Sequence, residues 1–152
     1  PQVKVVRAAL AAEPGTAHLF HVQLGDDPQA YSLMPESGAT ESETVPVTTL
    51  DLLAAQEDLS RLDCLKLDVE GAEPMVIAGG QDTLARFRPI VIFEVNTPIA
   101  LARGDAAACF EALGAMGYRI SRLDGTALVP LAAMPADWGN LIAIHPEGPQ
   151  PR

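Results

Sequence analysis

Residues 89–95, which read PIVIFEV, constrain the fold more than any other stretch of the chain. Their apolar side chains occupy both faces of an extended strand, as is typical of a central parallel strand that is covered by helices. A second apolar strand is predicted at residues 62–69, and a helical pattern begins near Pro74. A strand, a helix and another strand in this order indicate an α/β sheet with right-handed crossovers.

Further strands and a loop are predicted before this unit. β-Branched and apolar residues predict strands at residues 3–10, 17–23 and 44–48. The last of these is expected at a sheet edge, because Pro46 cannot donate to a hydrogen-bond ladder on both sides. Residues 25–43 are rich in Gly, Pro, Ser and acidic residues, and we interpret them as a long loop that could cover a substrate.

Two helices flank the strand at residues 62–69. Thr48 and Asp51 have the spacing of a capping box for the first helix. The second helix is predicted at residues 74–86, although Gly79 and Gly80 each weaken it by roughly 1 kcal/mol relative to alanine.

The C-terminal part is predicted to contain a helix that begins at Asp105 and is ended by Gly117, followed by strands at residues 118–123 and 141–145. We therefore expect one domain over residues 1–146 and a frayed tail at 147–152.

Charge and composition exclude several classes of function. Ten basic and twenty acidic residues give a net charge of −10, whereas nucleic-acid binding needs clustered Lys and Arg, so no nucleic acid is expected as a partner. Apolar runs stay well short of the roughly 20 residues that span a bilayer, and no signal-peptide pattern is seen. Because these apolar runs are short, no membrane partner is expected. Cys64 and Cys109 lack the spacing of a zinc site or a disulfide framework, so we expect a cytoplasmic protein.

Polar residues follow both strands of the central unit where each strand ends. Asp68 and Glu70 close the first strand, and Glu94 and Asn96 close the second. Ligands of α/β sheets bind at the carboxyl ends of the strands, so these residues predict a binding site at that edge. Side chains alternate along a strand, which places Lys66, Asp68 and Glu70 on one side of it.

The carboxylates have a structural interpretation as well as a functional one. Gly71 permits a tight turn into the helix, and Glu73 lies at the positive N-terminus of that helix, where it can act as a cap. Asp68 can pair with Lys66 or bind backbone amides. Because buried carboxylates are costly unless they are paired or used, we favour function for Asp68 and Glu70 and capping for Glu73.

The string LKLDVEGAE (65–73), followed by RPIVIFEVN (88–96), resembles the FkbM-type methyltransferases. VPVTTLDLL, GYRI and WGNLIAIH fit the same family in order and spacing, so the resemblance covers about residues 45–145.

This resemblance implies a Rossmann-like methyltransferase sheet, mostly parallel with an antiparallel C-terminal strand pair. It also implies S-adenosylmethionine as cofactor and O-methylation of a hydroxyl on a small-molecule or glycan acceptor, such as a sugar or secondary metabolite. The implied site consists of Asp68 and Glu70 as catalytic residues, the same two with Gly71 as cofactor-binding residues, and Glu73, Glu94 and Asn96 on the substrate side. Within it, we expect Asp68 to form the pocket floor and Glu70 to be the base.

The resemblance also implies parts that this sequence lacks. Family members begin with a strand and a Gly-rich D-x-G-A-N-x-G turn, then a second strand that ends in an acidic residue, and neither occurs here. We therefore expect a C-terminal portion of a longer enzyme, which alone binds the cofactor poorly. The strand at residues 62–69 would have an open edge, to be covered by a preceding segment or by another copy of the chain.

Two alternatives stay open. Asp68, Glu70, Glu94 and Asn96 are oxygen ligands of the kind that bind magnesium or calcium, so a metal-dependent enzyme is one alternative, although no metal is our primary expectation. A non-catalytic binding or assembly module derived from a methyltransferase is the other.

Overall fold

A computed structural model describes residues 3–24, 27–33, 40–69, 71–95, 101, 107–137 and 139–151. Its strands are β1 (Ala9–Leu10), β2 (Gly15–Leu24), β3 (Asp27–Ser32), β4 (Thr40–Thr48), β5 (Cys64–Leu67), β6 (Ile90–Val95), β7 (Arg119–Asp124), β8 (Ala127–Pro130) and β9 (Gly139–Ile144). Its helices are α1 (Leu50–Gln56), α2 (Glu73–Ala78), α3 (Gln81–Phe87) and α4 (Ala108–Ala115). Over this part of the chain, no helix has both the length and the hydropathy needed to cross a membrane.

The first sheet has the strand order β1-β4-β2-β3. The prediction of a loop at residues 25–43 is wrong over β3 and the beginning of β4, because β3 pairs antiparallel with β2 and β4 pairs with the other edge of β2. Backbone pairing outweighs the polar composition here, since strand formation depends strongly on tertiary context. Gly25, Asp26 and residues 34–39 lie outside the described residues.

Strand β4 lies between β1 and β2, so the prediction of an edge strand at residues 44–48 is wrong for Val47 and Thr48 but, within the described residues, holds for residues 44–46. On one side it pairs with β2, and on the other β1 contacts only Val47 and Thr48. The ladder on that side begins just after Pro46, whose nitrogen has no hydrogen to donate. Residues 3–8, predicted to be strand, are not in regular structure, and the side chain of Val5 is exposed.

The second sheet has the order β5-β6-β9-β7-β8 and contains the predicted central unit. β5 and β6 are parallel, with Cys64 opposite Ile90, and β5 lies at the edge of the sheet with Cys64 exposed. All other pairs in this sheet are antiparallel. The expected α/β class is found, but within the described residues the sheets are not mostly parallel. The reason is that β9 returns between β6 and β7, and that β8 forms a hairpin with β7.

Helices cover one face of the second sheet. Val91, Phe93 and Val95 of β6 are almost fully buried on that face, where α2 packs against α4. Ile90 and Ile92 on the opposite face are only half-buried and line an open groove together with Ile142 and Ile144. The prediction that helices cover both faces of β6 is therefore wrong for the described part of the chain.

The predicted helix at residues 74–86 is interrupted at its two glycines. Gly79 and Gly80 separate α2 from α3. A Cβ atom at Gly79 would lie 2.1 Å from the backbone oxygen of Ala11, and one at Gly80 would lie 2.7 Å from Cδ2 of Leu50. The glycines thus allow the chain that follows β1, and helix α1, to pack directly on the break.

The first helix is capped one residue later than predicted. The Leu52 N–H donates to Oγ1 of Thr49 at 3.0 Å, so Thr49 rather than Thr48 is the N-cap. The Asp51 carboxylate accepts from the N–H groups of Asp82 and Thr83, at 3.2 and 2.7 Å. Asp51 therefore caps α3 instead of completing a capping box in α1.

The C-terminal elements follow the sequence pattern more closely. Helix α4 is followed by Gly117 at a φ of 88°, which confirms the predicted helix end, whereas Asp105 lies outside the described residues. Beyond β9, Glu147 forms an ion pair with Arg88 at 2.8 Å, and the Gly148 N–H donates to the His145 carbonyl at 3.0 Å. These contacts hold the beginning of the tail against the domain.

Candidate functional site

Three strand ends meet at one edge of the second sheet. β5 and β6 are parallel, and β7 runs in the same direction because both β6 and β7 are antiparallel to β9. The carboxyl ends of β5, β6 and β7 therefore lie beside the beginning of β9. We call this edge the carboxyl rim; it includes Asp68, Glu94, Arg122 and Asn140 among the described residues.

Asp68 lies directly after β5 and is accessible to solvent. Its side chain is 61% exposed, and its Oδ2 atom is 3.2 Å from Nζ of Lys66. The same Nζ also donates to the Leu67 carbonyl oxygen at 3.1 Å. The Lys66 pairing foreseen as a structural interpretation is thus present, but an exposed pair contributes only about 0–1 kcal/mol to stability and leaves the carboxylate reachable by a ligand.

The turn after Asp68 has the predicted glycine conformation. Gly71 is buried and has a φ of 88°, in the left-handed region that a side chain would disfavour. This φ turns the chain from β5 into α2. Glu70, the predicted base, and Asn96, the predicted substrate residue after β6, both lie outside the described residues, so their roles stay predictions.

Glu73 is buried, unlike Asp68. It is 2% exposed, and its Oε1 atom accepts the Val69 N–H at 3.0 Å. The carboxylate therefore closes the turn between β5 and α2 from the first turn of the helix, where the helix dipole favours a negative charge. This contact gives Glu73 a structural task, and its predicted role on the substrate side stays a prediction.

Glu94 lies at the rim on the face opposite the helices. It is half-buried and is directly opposite Asn140 in the antiparallel pairing of β6 with β9. Asn140 is exposed and was not identified from the sequence. Cross-strand partners point to the same face of a sheet, so this pair adds an amide beside the predicted carboxylate.

An ion pair at the rim was also missed. Nη2 of Arg122 lies 2.7 Å from Oδ1 of Asp137, and the hydrogen bond from Arg122 holds the pKa of Asp137 below its usual value. The two residues border a cavity of about 220 Å³ together with Val95 and Asn140. They are 15 positions apart, and no pattern in the sequence shows that residues 131–137 fold back over the end of β7.

At the opposite end of the second sheet, the side chain of Tyr118 packs against its neighbours. Tyr118 is buried, its hydroxyl donates to the Leu84 carbonyl at 3.5 Å, and its ring forms a T-shaped pair with the ring of His145, with 5.4 Å between the ring centroids. Burial raises the pKa of Tyr118 to about 12. Tyr118 is thus a packing residue.

A metal site was the first alternative. Among the residues that the structure describes, no three His, Cys, Asp or Glu side chains are close enough together to hold an ion. Two of the four proposed oxygen ligands, Asp68 and Glu94, are within that part, and the other two are not. The metal alternative therefore has no support in the described geometry.

Comparison with known proteins gives one match. The model of the methyltransferase FkbM domain matches residues 3–120, which is most of the chain. Neither the curated proteins nor the solved structures that were compared gave a significant match. The matched range contains the βαβ unit, the Asp68–Glu73 turn and Glu94. The chain therefore belongs to the FkbM methyltransferase domain family.

Proposed function

We propose that the chain transfers a methyl group from S-adenosylmethionine to a hydroxyl oxygen of a small-molecule or glycan acceptor at the carboxyl rim. The observation that carries this proposal is the family match over residues 3–120. The geometry supports it, since an exposed carboxylate follows β5 where α/β sheets bind their ligands.

The described residues fit this cofactor electrostatically. S-adenosylmethionine carries a positively charged sulfonium, and Asp68 places an accessible negative charge at the rim. Opposite charges a few ångströms apart attract by about 1–4 kcal/mol at the dielectric constants of water and of a protein surface. Asp68, Glu70 and Gly71 are the residues proposed to hold the cofactor, which supplies the methyl group when it is bound.

The protein's remaining task is to orient the acceptor and take its proton. Methyl transfer is an in-line displacement, so alignment of the attacking oxygen contributes much of the rate. We assign the proton to Glu70 as general base and the acceptor side to Glu94 and Asn96. Because Glu73 accepts a hydrogen bond from the Val69 N–H, we assign it the task of holding this turn in place.

The outer edge of β5 is part of the proposal. β5 is an edge strand in the described sheet, and Nζ of Lys66 donates a hydrogen bond to the Leu67 carbonyl oxygen of the same strand. Exposed strand edges are templates for further pairing. We propose that a strand from a further segment of the protein or from a second copy covers this edge in the active enzyme. The cytoplasmic location stays a prediction.

Calorimetric titrations of S-adenosylmethionine and S-adenosylhomocysteine test the proposal. The first ligand carries the sulfonium charge, and the second has a neutral thioether in its place. Asp68→Asn should weaken binding of S-adenosylmethionine by roughly tenfold, corresponding to about 1.4 kcal/mol, and that of the thioether much less.

Asp63→Asn is the matched control, because Asp63 is an exposed carboxylate paired with Arg61 and precedes β5, at the end of that strand opposite to Asp68. The proposal is contradicted if neither the 152-residue chain nor the complete product of its reading frame binds S-adenosylmethionine. It is also contradicted for Asp68 if the substitution weakens both ligands equally.

A further inference from the structure

Lys66 is a cation on the same face of the second sheet as the carboxylates of the rim. It is directly opposite Ile92 in the parallel pairing of β5 with β6, and Ile92 borders the open groove on the face opposite the helices. Glu94 is two residues beyond Ile92 in β6, so it faces the same side. Lys66 therefore brings a positive charge close to the proposed cofactor site.

Two contacts hold the Lys66 ammonium in place. Its Nζ atom is 3.2 Å from Oδ2 of Asp68, and it donates to the Leu67 carbonyl oxygen at 3.1 Å. Leu67 belongs to a strand that is paired with β6, so the carbonyl is a fixed point of the sheet. The Lys66 and Asp68 side chains are 44% and 61% exposed, which leaves both charges within reach of a ligand.

Arg122 does not have this relation to Asp68. It is opposite Leu141, which is buried on the helix-covered face, so Arg122 lies on that face as well. Its guanidinium pairs with Asp137. Of these two cations near the rim, Lys66 is therefore the one whose charge acts on Asp68.

The ion pair changes the electric field that Asp68 exerts on a ligand. A lone carboxylate attracts a positive charge in inverse proportion to distance, whereas a carboxylate with an ammonium 3.2 Å away acts as a dipole, whose attraction falls off more steeply. A sulfonium near Asp68 is therefore attracted less by the pair than by the carboxylate alone. A neutral group in the same place is affected little in either case.

A moderate attraction suits methyl transfer. The bond between sulfur and the methyl carbon breaks with its electron pair on sulfur, the hydroxyl oxygen forms the new bond with a lone pair, and the hydroxyl proton passes to the general base. The sulfur thus loses its positive charge during the reaction. A strong attraction to Asp68 would stabilise the bound reactant more than the transition state and would slow the transfer.

We propose that Lys66 is a charge-balancing residue of the cofactor site. Its ammonium offsets part of the Asp68 charge and so limits the preference of the rim for the sulfonium of S-adenosylmethionine over the neutral thioether of S-adenosylhomocysteine. This inference rests on the proposed function, because it takes the rim as the cofactor site.

A purely structural role for the pair is the competing interpretation. An exposed ion pair contributes about 0–1 kcal/mol to stability, and this one joins the end of β5 to the turn that follows. Loss of a structural contact would alter the binding of both ligands to the same extent. Loss of a balancing charge alters their affinities differently, because only one ligand carries a charge on sulfur.

Calorimetric titrations of the two ligands into Lys66→Met test the proposal, with the 152-residue chain or, if that does not bind, the complete product of its reading frame. The ligands share their adenosine and amino-acid groups, so the ratio of their affinities reports the charge on sulfur. We expect Lys66→Met to raise the ratio of S-adenosylmethionine to S-adenosylhomocysteine affinity by about three- to tenfold. Lys66→Arg keeps the positive charge and should change the ratio by less than about twofold.

Lys4→Met is the matched control. It changes the net charge by the same amount and breaks another exposed pair, Lys4–Glu57, whose residues lie outside the second sheet. The control should leave the affinity ratio unchanged. Thermal unfolding of each variant shows that it is folded.

Three results would overturn the proposal: an unchanged ratio in Lys66→Met, an equal rise in Lys4→Met, or a rise in Lys66→Arg as large as that in Lys66→Met. If the unmodified protein binds S-adenosylmethionine and the ratio does not respond to Lys66→Met, the charge-balancing role alone is wrong. If neither form of the unmodified protein binds either ligand, the proposed function is wrong and this inference fails with it.

Discussion

Asp68 and Glu73 are two carboxylates five residues apart in one turn, and their surroundings are opposite. Asp68 is 61% exposed beside Lys66, whereas Glu73 is 2% exposed and accepts the Val69 N–H. A buried acceptor that is bound to a backbone donor stabilises the turn, while an exposed carboxylate is open to a ligand. The acidic cluster thus divides into a structural residue and a candidate functional one.

Removal of the Glu73 carboxylate tests this division. Glu73→Ala leaves the Val69 N–H without its partner, so the free energy of unfolding should fall by about 1–3 kcal/mol. Glu73→Gln keeps an oxygen acceptor and should lose less. Urea denaturation measures both values, with Glu111→Ala as an exposed control that stays within about 0.5 kcal/mol of the unmodified protein. An unchanged stability in Glu73→Ala would show that the contact is unimportant.

The sequence predicted part of this residue-scale picture. It identified Gly71 as the residue of a tight turn, and it raised both the pairing of Asp68 with Lys66 and a structural role for Glu73. It did not identify Arg122, Asp137 or Asn140. Their position at the rim follows from the direction of β7 and β9, which local patterns do not encode.

At the scale of elements, the break between α2 and α3 is a packing site for the chain that follows β1 and for helix α1. The Asp51 N–H donates to the Gly79 carbonyl at 3.0 Å, and the Asp51 carboxylate caps α3. Ala11 and Leu50 approach the glycines too closely for a Cβ atom to fit without a shift. This contact is where the chain after β1 and helix α1 meet the helices that cover the second sheet.

Substitution of glycine by alanine should have opposite effects at two sites. At Gly79 the new Cβ would lie 2.1 Å from the Ala11 backbone oxygen, so Gly79→Ala should destabilise the protein by about 1–3 kcal/mol. At Gly114, inside α4, nothing lies within 4 Å of the added Cβ, so Gly114→Ala should stabilise by about 0.4–1 kcal/mol. Thermal and urea unfolding give both values. Equal effects at the two sites would contradict the close packing at the break.

Local patterns predicted those elements whose shape depends on their own residues. β5, β6 and the end of α4 at Gly117 follow from apolar runs and a single glycine. The interruption at Gly79, the cap at Thr49 and strand β3 depend on contacts with distant residues, so periodicity and composition could not predict them. For the same reason the sequence favoured a mostly parallel sheet, since it does not show that β9 inserts between β6 and β7.

At the scale of the whole molecule, the described chain forms two sheets, and three strands of the second sheet end at one edge. The parallel arrangement of β5, β6 and β7 brings Asp68, Glu94 and Arg122 to the same rim. The family match spans residues 3–120 and so includes strands of both sheets. These two facts support our proposal that the carboxyl rim binds S-adenosylmethionine and a hydroxyl acceptor.

The most direct measurement of this claim is a titration of S-adenosylmethionine into ¹⁵N-labelled protein, with the shifted amides mapped on the structure. We expect the largest shifts at the carboxyl rim, around Asp68, Gly71 and Glu94. We expect little change at Tyr118 and His145, at the opposite end of the sheet. Shifts concentrated at that opposite end or in the first sheet, without change at the rim, would contradict binding of the cofactor at the rim.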